Sequence, residues 1–350
     1  MTVTEPGTST TEAGADRMQV SVLTGMKALA VEERPVPVPA ADQVLVEVSK
    51  VGVCGSDVHY YRDGRIGPFV VDAPLVLGHE LSGRIAAVGP GVDEARVGER
   101  VAVEPQKPCR RCSQCKAGRY NLCPFMEFYA TPPIDGAFCE YVVIESDFAH
   151  PVPDSISDEA AALLEPLSVG IAAARKARIV PGSRVLIAGG GPIGVITAQA
   201  ARAFGAAEII VSDPVADRRE MAGRFGATST LDPATDDSRS LQVDAFIDAC
   251  GVPAAIIQGL ESVRGAGAVV LVGTGSDTVS LPIPTIMNRE LTVTGIFRYT
   301  DTWPLGAHLV ATGQVELDAL VTGRFPLTEV ESALNADLTP GSLKTIVEVR

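Results

Sequence analysis

Residues 189–194 read Gly-Gly-Gly-Pro-Ile-Gly, and no other segment limits the fold as tightly. Glycines at 189, 191 and 194 fit the spacing G-x-G-x-x-G, a weak match by itself in a chain with 34 glycines. The flanks give it weight. The apolar run 184–188 before it reads as a strand covered on both faces, and residues 195–204 after it read as a helix. Asp213 closes the next apolar run, 19 residues after Gly194. Glycine lets the backbone turn tightly and approach a diphosphate, whose charge the helix N-terminus favours. A carboxylate at Asp213 accepts hydrogen bonds from ribose hydroxyls and repels a 2′-phosphate. The pattern predicts an NAD site built from Gly189, Gly191, Ile193, Gly194 and Asp213. Arg218, beside Arg219, joins the cofactor set and keeps NADP as the alternative.

Further apolar runs at 209–211, 245–247, 268–272 and 291–296 are separated by helix-like stretches. Strand alternating with helix predicts an α/β domain with a doubly wound parallel sheet of the Rossmann kind. The chain before it has another character. From residue 27 to about 103, short alternating runs punctuated by Gly and Pro predict a β-rich domain. A polar stretch with cysteines, 104–124, interrupts it, and strand-like sequence resumes at 138–144. Ser157-Asp158-Glu159 then signals a helix start. A length of 350 residues suits two domains. The first residues hold little to bury, so residues 1–26 are expected to form a disordered tail. Runs at 325–327 and 345–349 look like strands and favour a return of the chain to the first domain.

A net charge of −14 argues against a nucleic-acid partner, since phosphate binding needs clustered Lys and Arg. No apolar run approaches the length of about 18 residues that a membrane span needs. The start lacks a basic and apolar leader, so no secretory signal is expected and the location is read as cytoplasmic. Four of seven cysteines, Cys109, Cys112, Cys115 and Cys123, fall within fifteen residues. Their spacing suits one tetrahedral, structural zinc that staples a loop-rich lobe; an iron–sulfur cluster is the minor alternative.

A second set is scattered: Cys54 with Ser56, Asp57 and His59, then His79-Glu80, then Glu165 before a proline. Cys, His and carboxylate are competent zinc ligands, and three of them leave a position open for substrate. Taken singly, Cys54 reads as a small buried hydrophobe, His79 as a core histidine and Glu165 as a helix-start acid. Spacing cannot show that they converge.

Several segments carry a resemblance: CGSDVHYY (54–61), GHE (78–80), GRYNLC (118–123), ATPPIDG (130–136), LEPLSVG (164–170) and FRYTDTWP (297–304). With the four-cysteine lobe and the glycine turn, they resemble the zinc-dependent medium-chain dehydrogenase/reductase superfamily. Within it, they resemble the sorbitol/xylitol (polyol) dehydrogenase family over residues 27–350. The resemblance implies a GroES-like catalytic domain at 27–165, carrying the lobe 104–124. A Rossmann domain at 166–298 follows, and residues 299–350 return to the catalytic domain. It implies NAD-linked oxidation of a sugar alcohol to the ketose, with zinc acidifying the hydroxyl and the alkoxide passing hydride to the nicotinamide. Catalytic zinc would be held by Cys54, His79 and Glu80, with Glu165 bound directly or through water. Asp57 would accept a hydrogen bond from His79. Ser56 and His59 would relay the proton, while Tyr60, Arg298 and Tyr299 would contact polyol hydroxyls. Two zinc ions per subunit and a homotetramer follow, with a dimer as the alternative. Other readings are a zinc dehydrogenase for a simple secondary alcohol or threonine, or a non-catalytic NAD-binding protein.

Overall fold

The computed structural model describes residues 16–350. Residues 1–15, part of the stretch read as a tail, lie outside the described residues. The rest of that reading is corrected: Arg17–Gly25 is a strand, paired antiparallel with Ala28–Pro35 and touching Leu75–Val76. Val20, Val22 and Leu23 on this strand are buried in the core of the first domain. Their apolar surface anchors a segment whose polar neighbours masked it in the sequence.

The first domain is built on the strand Gln43–Gly52. Glu80–Val88 and Tyr141–Glu145 pair with it antiparallel, Arg100–Val103 extends the sheet, and Ala149–Pro151 lies at its edge. Lys344–Glu348 also pairs with Gln43–Gly52, and Val321–Pro326 lies parallel beyond it. The C-terminus therefore does return, but later than expected. The helix Trp303–Ala311 packs on the helix Leu164–Lys176, and Trp303 and Leu309 share a core with Leu164, Leu167 and Ile171. The segment from 299 to about 320 thus stays with the second domain, held by the apolar face that Trp303 and Leu309 bury.

Six parallel strands make the second sheet among the described residues. Their spatial order is Ser229–Leu231, Glu208–Ser212, Arg184–Ala188, Val243–Asp248, Val263–Leu271 and Thr292–Gly295. Numbered along the chain this is 3-2-1-4-5-6, the Rossmann arrangement, whose ligand crevice opens where the order reverses. That point lies between Arg184–Ala188 and Val243–Asp248, beside the glycine turn.

The helix start read at Ser157 is real but yields two helices. The Ser157 hydroxyl accepts the Ala160 N–H at 2.9 Å and caps Asp158–Ala162. A break at Leu163 then starts Leu164–Lys176, which places Glu165 in a first turn between the two domains. No helix among the described residues is long and apolar enough to cross a membrane.

Candidate active site

The cofactor crevice is shaped by close approach. Gly189 adopts φ +104°, and a Cβ on Gly194 would lie 1.8 Å from the Gly189 carbonyl oxygen. Only glycine lets this turn fold under the helix Pro192–Ala203. A Cβ on Gly191 would meet nothing within 4 Å. That open space faces a cleft of about 600 Å³ lined by Gly189, Gly191, Asp213, Arg218 and Cys250. The cleft thus offers room for a diphosphate at a helix N-terminus.

Asp213 does more than face a ribose. One carboxylate oxygen accepts the Gly190 N–H at 2.8 Å and the other accepts the Val215 N–H at 2.8 Å, so it also holds the turn. Arg219 turns away, donating to the Asp213 carbonyl and pairing with Asp232. Arg218 is exposed at the mouth, 3.9 Å from the Asp213 carboxylate.

A second cleft of about 370 Å³ continues from Gly191, Pro192 and Ile193 to Cys54, His59 and Glu80. Cys54, His79 and Glu80 each offer a ligand atom, and the three atoms lie within 4.8 Å of one another. The scattered set therefore converges. His79 Nδ1 is buried without a hydrogen-bond partner, an orphan of the kind a native core seldom keeps. One half-buried thiol with a buried imidazole and a buried carboxylate suit a zinc ion with one open position.

Asp57 corrects an expectation. Its carboxylate lies 3.6 Å from His79 Nδ1, beyond hydrogen-bond length. It instead accepts the backbone N–H of Cys54 at 3.0 Å and of Gly78 at 2.9 Å. Asp57 therefore fixes the two turns that carry ligands. Sequence reasoning missed Lys344, whose buried ammonium donates to Glu80 Oε2 at 2.5 Å and to the Val53 carbonyl at 2.8 Å. A lysine inside the strand-like run Leu343-Lys344-Thr345-Ile346-Val347 was the available signal.

Next to the metal ligands a cavity of about 240 Å³ brings together Ser56, Tyr60, His79, Glu165, Arg298 and Tyr299. Glu165 is 5% exposed, and burial pushes its carboxyl up to about 7, with His79 pulling down and Glu80 pushing up. Its Oε1 accepts the Tyr299 hydroxyl at 2.5 Å, leaving Oε2 without a partner among the described residues. Burial and the adjacent Glu165 carboxylate hold the Tyr299 phenol well above its usual range, so it stays a donor. The Arg298 guanidinium makes no ion pair among the described residues. It stacks 3.8 Å from the Phe128 ring centroid and 4.7 Å from that of Phe297. Phe128 also packs against the His79 ring and was not foreseen. His59 lies apart from this cavity; its Nδ1 is 3.0 Å from Asp63, at the cofactor cleft.

Cys109, Cys112, Cys115 and Cys123 close on one another. Cys112 Sγ lies 3.4 Å from Cys115 Sγ and 3.9 Å from Cys123 Sγ. A tetrahedral zinc with bonds of about 2.3 Å sets its sulfurs about 3.8 Å apart. The backbone N–H of Arg111 draws Cys109 down to about 6, while burial and neighbouring thiols push Cys115 up to about 12. Thiolates this close ionise as a set only around a cation.

Comparison with known proteins agrees with this architecture. Residues 40–154 match the alcohol dehydrogenase GroES-like domain, and residues 192–312 match the zinc-binding dehydrogenase family. A sorbitol dehydrogenase of Bacillus subtilis is 44% identical over 92% of this chain and 94% of its own length. A probable D-xylulose reductase A of Neosartorya fischeri is 40% identical over 97% of this chain and 98% of its own. The solved structure of L-idonate 5-dehydrogenase from Escherichia coli superposes with a TM-score of 0.90 at 31% identity, covering 95% of this chain and 98% of that one. The chain belongs to the zinc-dependent medium-chain dehydrogenases, in the sorbitol/xylitol (polyol) dehydrogenase family. It is an oxidoreductase of CH–OH groups that uses zinc and a nicotinamide dinucleotide.

Proposed function

We propose that this chain oxidises a sugar alcohol of the sorbitol/xylitol class to its ketose, with NAD rather than NADP as acceptor. One observation carries the reading: a wall of Glu165, Tyr299 and Arg298 borders the cavity beside Cys54, His79 and Glu80. A simple alcohol would leave Glu165 Oε2 and the Arg298 guanidinium without hydrogen-bond partners. Several hydroxyls on neighbouring carbons would satisfy them. The relatives named for sorbitol and D-xylulose support the same class.

In this reading Cys54, His79 and Glu80 hold the catalytic zinc, with Glu165 beside it, and the four-cysteine lobe holds a second ion. When bound, the zinc would supply Lewis acidity toward the substrate hydroxyl, and the nicotinamide would supply the acceptor for hydride from the carbon that bears it. The balance is one secondary alcohol and NAD+ giving one ketone, NADH and one proton. Glu165 Oε2 accepts a substrate hydroxyl while Tyr299 holds Oε1. Arg298 donates to a more distant hydroxyl, and Tyr60 borders the same wall. Ser56 faces the substrate cavity and His59 the cofactor cleft, one helical turn apart on Gly55–Asp63, and they conduct the released proton outward. Asp213 selects NAD by opposing a 2′-phosphate.

The test is NADH absorbance over a panel of sorbitol, xylitol, 2-butanol and threonine, with and without a chelator. Chelator-sensitive turnover of the polyols is expected. Turnover confined to 2-butanol or threonine would overturn the polyol reading. The same reading carries a cytoplasmic homotetramer, which sedimentation equilibrium checks against a dimer.

A further inference from the structure

Beyond the metal and cofactor sites, a buried polar network joins the cysteine lobe to the loop that carries Arg298 and Tyr299. Its hub is Glu104, 2% exposed. Oε1 of Glu104 accepts Gln106 Nε2 at 2.9 Å and the Tyr120 hydroxyl at 2.9 Å, while Oε2 lies 2.9 Å from His150 Nε2. The His150 ring in turn stacks on Trp303. Tyr120 and Asn121 belong to the short turn Tyr120–Leu122, between the third and fourth cysteines of the lobe.

The loop 297–301 is tied to this hub at three backbone atoms. Asn121 Nδ2 donates to the Phe297 carbonyl at 2.7 Å. Gln106 Nε2 donates to the Tyr299 carbonyl at 3.2 Å, and the Asp301 N–H donates to the Tyr120 hydroxyl at 2.8 Å. The loop needs such ties. Arg298 has φ +59° and Asp301 φ +51°; aspartate adopts this left-handed conformation readily, whereas an arginine keeps it when its surroundings impose it. Released, the backbone would relax and swing Arg298 off Phe128 and Tyr299 off Glu165.

We propose that Tyr120 and Asn121 are positioning residues for substrate binding, so that the cysteine lobe sets the aim of Arg298 and Tyr299. The loop's role in holding substrate rests on the polyol reading, but the mechanical link does not. Tyr120→Phe keeps the ring and removes the oxygen that accepts the Asp301 N–H. Asn121→Ala removes the donor to Phe297. Hydrogen–deuterium exchange of the peptide spanning 297–301, measured without substrate, should accelerate about fivefold or more in Tyr120→Phe, the effect of one lost hydrogen bond. In both variants KM for the polyol that wild type oxidises best should rise by a similar factor. Turnover number and zinc content should stay near wild type, while Tyr120→Phe melts slightly lower because Glu104 also loses a hydroxyl donor.

Unchanged exchange in Tyr120→Phe overturns the link. So does a loss of zinc in which kcat falls and KM does not move, because the lobe would then act only through stability. If wild type oxidises no polyol, the function assigned above fails, and the exchange measurement still decides the link.

Discussion

Gly194 and Glu165 show how much single atoms decide here. The oxygen 1.8 Å from a Cβ on Gly194 is backbone and cannot move aside, so Gly194→Ala must displace the turn or the helix behind it. Calorimetry should find NADH binding weakened by at least about tenfold, since the diphosphate would lose its aligned N–H donors. Glu165→Gln keeps the shape of the buried side chain but removes the carboxylate charge. Polyol turnover should fall by roughly a hundredfold, while the Kd for NADH stays within about twofold because the cofactor lies in the neighbouring cleft. Loss of both together would place Glu165 in the fold's support rather than in the chemistry. Lys344 is buried against Glu80, so Lys344→Met leaves a carboxylate without its ammonium. Denaturant unfolding of the metal-free protein, where no cation replaces the ammonium, should show a loss of about 3 kcal/mol.

The short helix Asp158–Ala162 works as a clamp at the scale of elements. The Asp158 carboxylate accepts from Ser49 at 2.9 Å and from Arg100 at 2.6 Å, and its carbonyl accepts the Ser82 hydroxyl at 2.6 Å. One acid thereby joins three strands of the first domain to the helix that leads to Glu165. Burial would raise this carboxyl, but the Arg100 and Ser49 hydrogen bonds outweigh it and hold it below the ordinary carboxylate range. A depressed folded pKa contributes stability that is present above the ordinary value, near 4, and lost as pH falls through the depressed one. The melting temperature of wild type should therefore exceed that of Asp158→Asn by about 1–2 °C at pH 7, equivalent to about 1 kcal/mol in a chain of this length. The gap should begin to shrink below about pH 4 and close only below the depressed value. A gap that does not change with pH would tie the effect to shape and not charge. In the cysteine lobe, Cys115→Ser should remove one metal ion per chain and leave the other in place.

For the whole molecule, the two metal constellations lie in one domain and the glycine turn in the other, so catalysis depends on how the halves are joined. Elemental analysis of the purified protein should return two zinc ions per chain; a value of one would falsify the paired assignment. What was legible from residues alone is what depends on neighbours in the chain. The turn 189–194 with its flanking strand and helix is one case. The four cysteines are another, since fifteen residues confine them to one small lobe. The strand Arg17–Gly25 was missed because the polar residues before it drew it into the tail; its hairpin partner at 28–35 is local, and only its contact at 75–76 is distant. The meeting of Cys54, His79 and Glu80 rested on resemblance until the structure brought the three together; Glu165 lines the adjoining cavity, outside that group. The place of Arg298 and Tyr299 likewise rested on resemblance. Asp57 kept its importance but changed its partners, from an imidazole to two backbone amides. Lys344 closes on Glu80 across 264 residues, and Tyr120 reaches Asp301 across 181. Periodicity and spacing report local geometry, whereas contacts of that range exist only after strands pair and helices pack, and there the tertiary structure alone chose the partners.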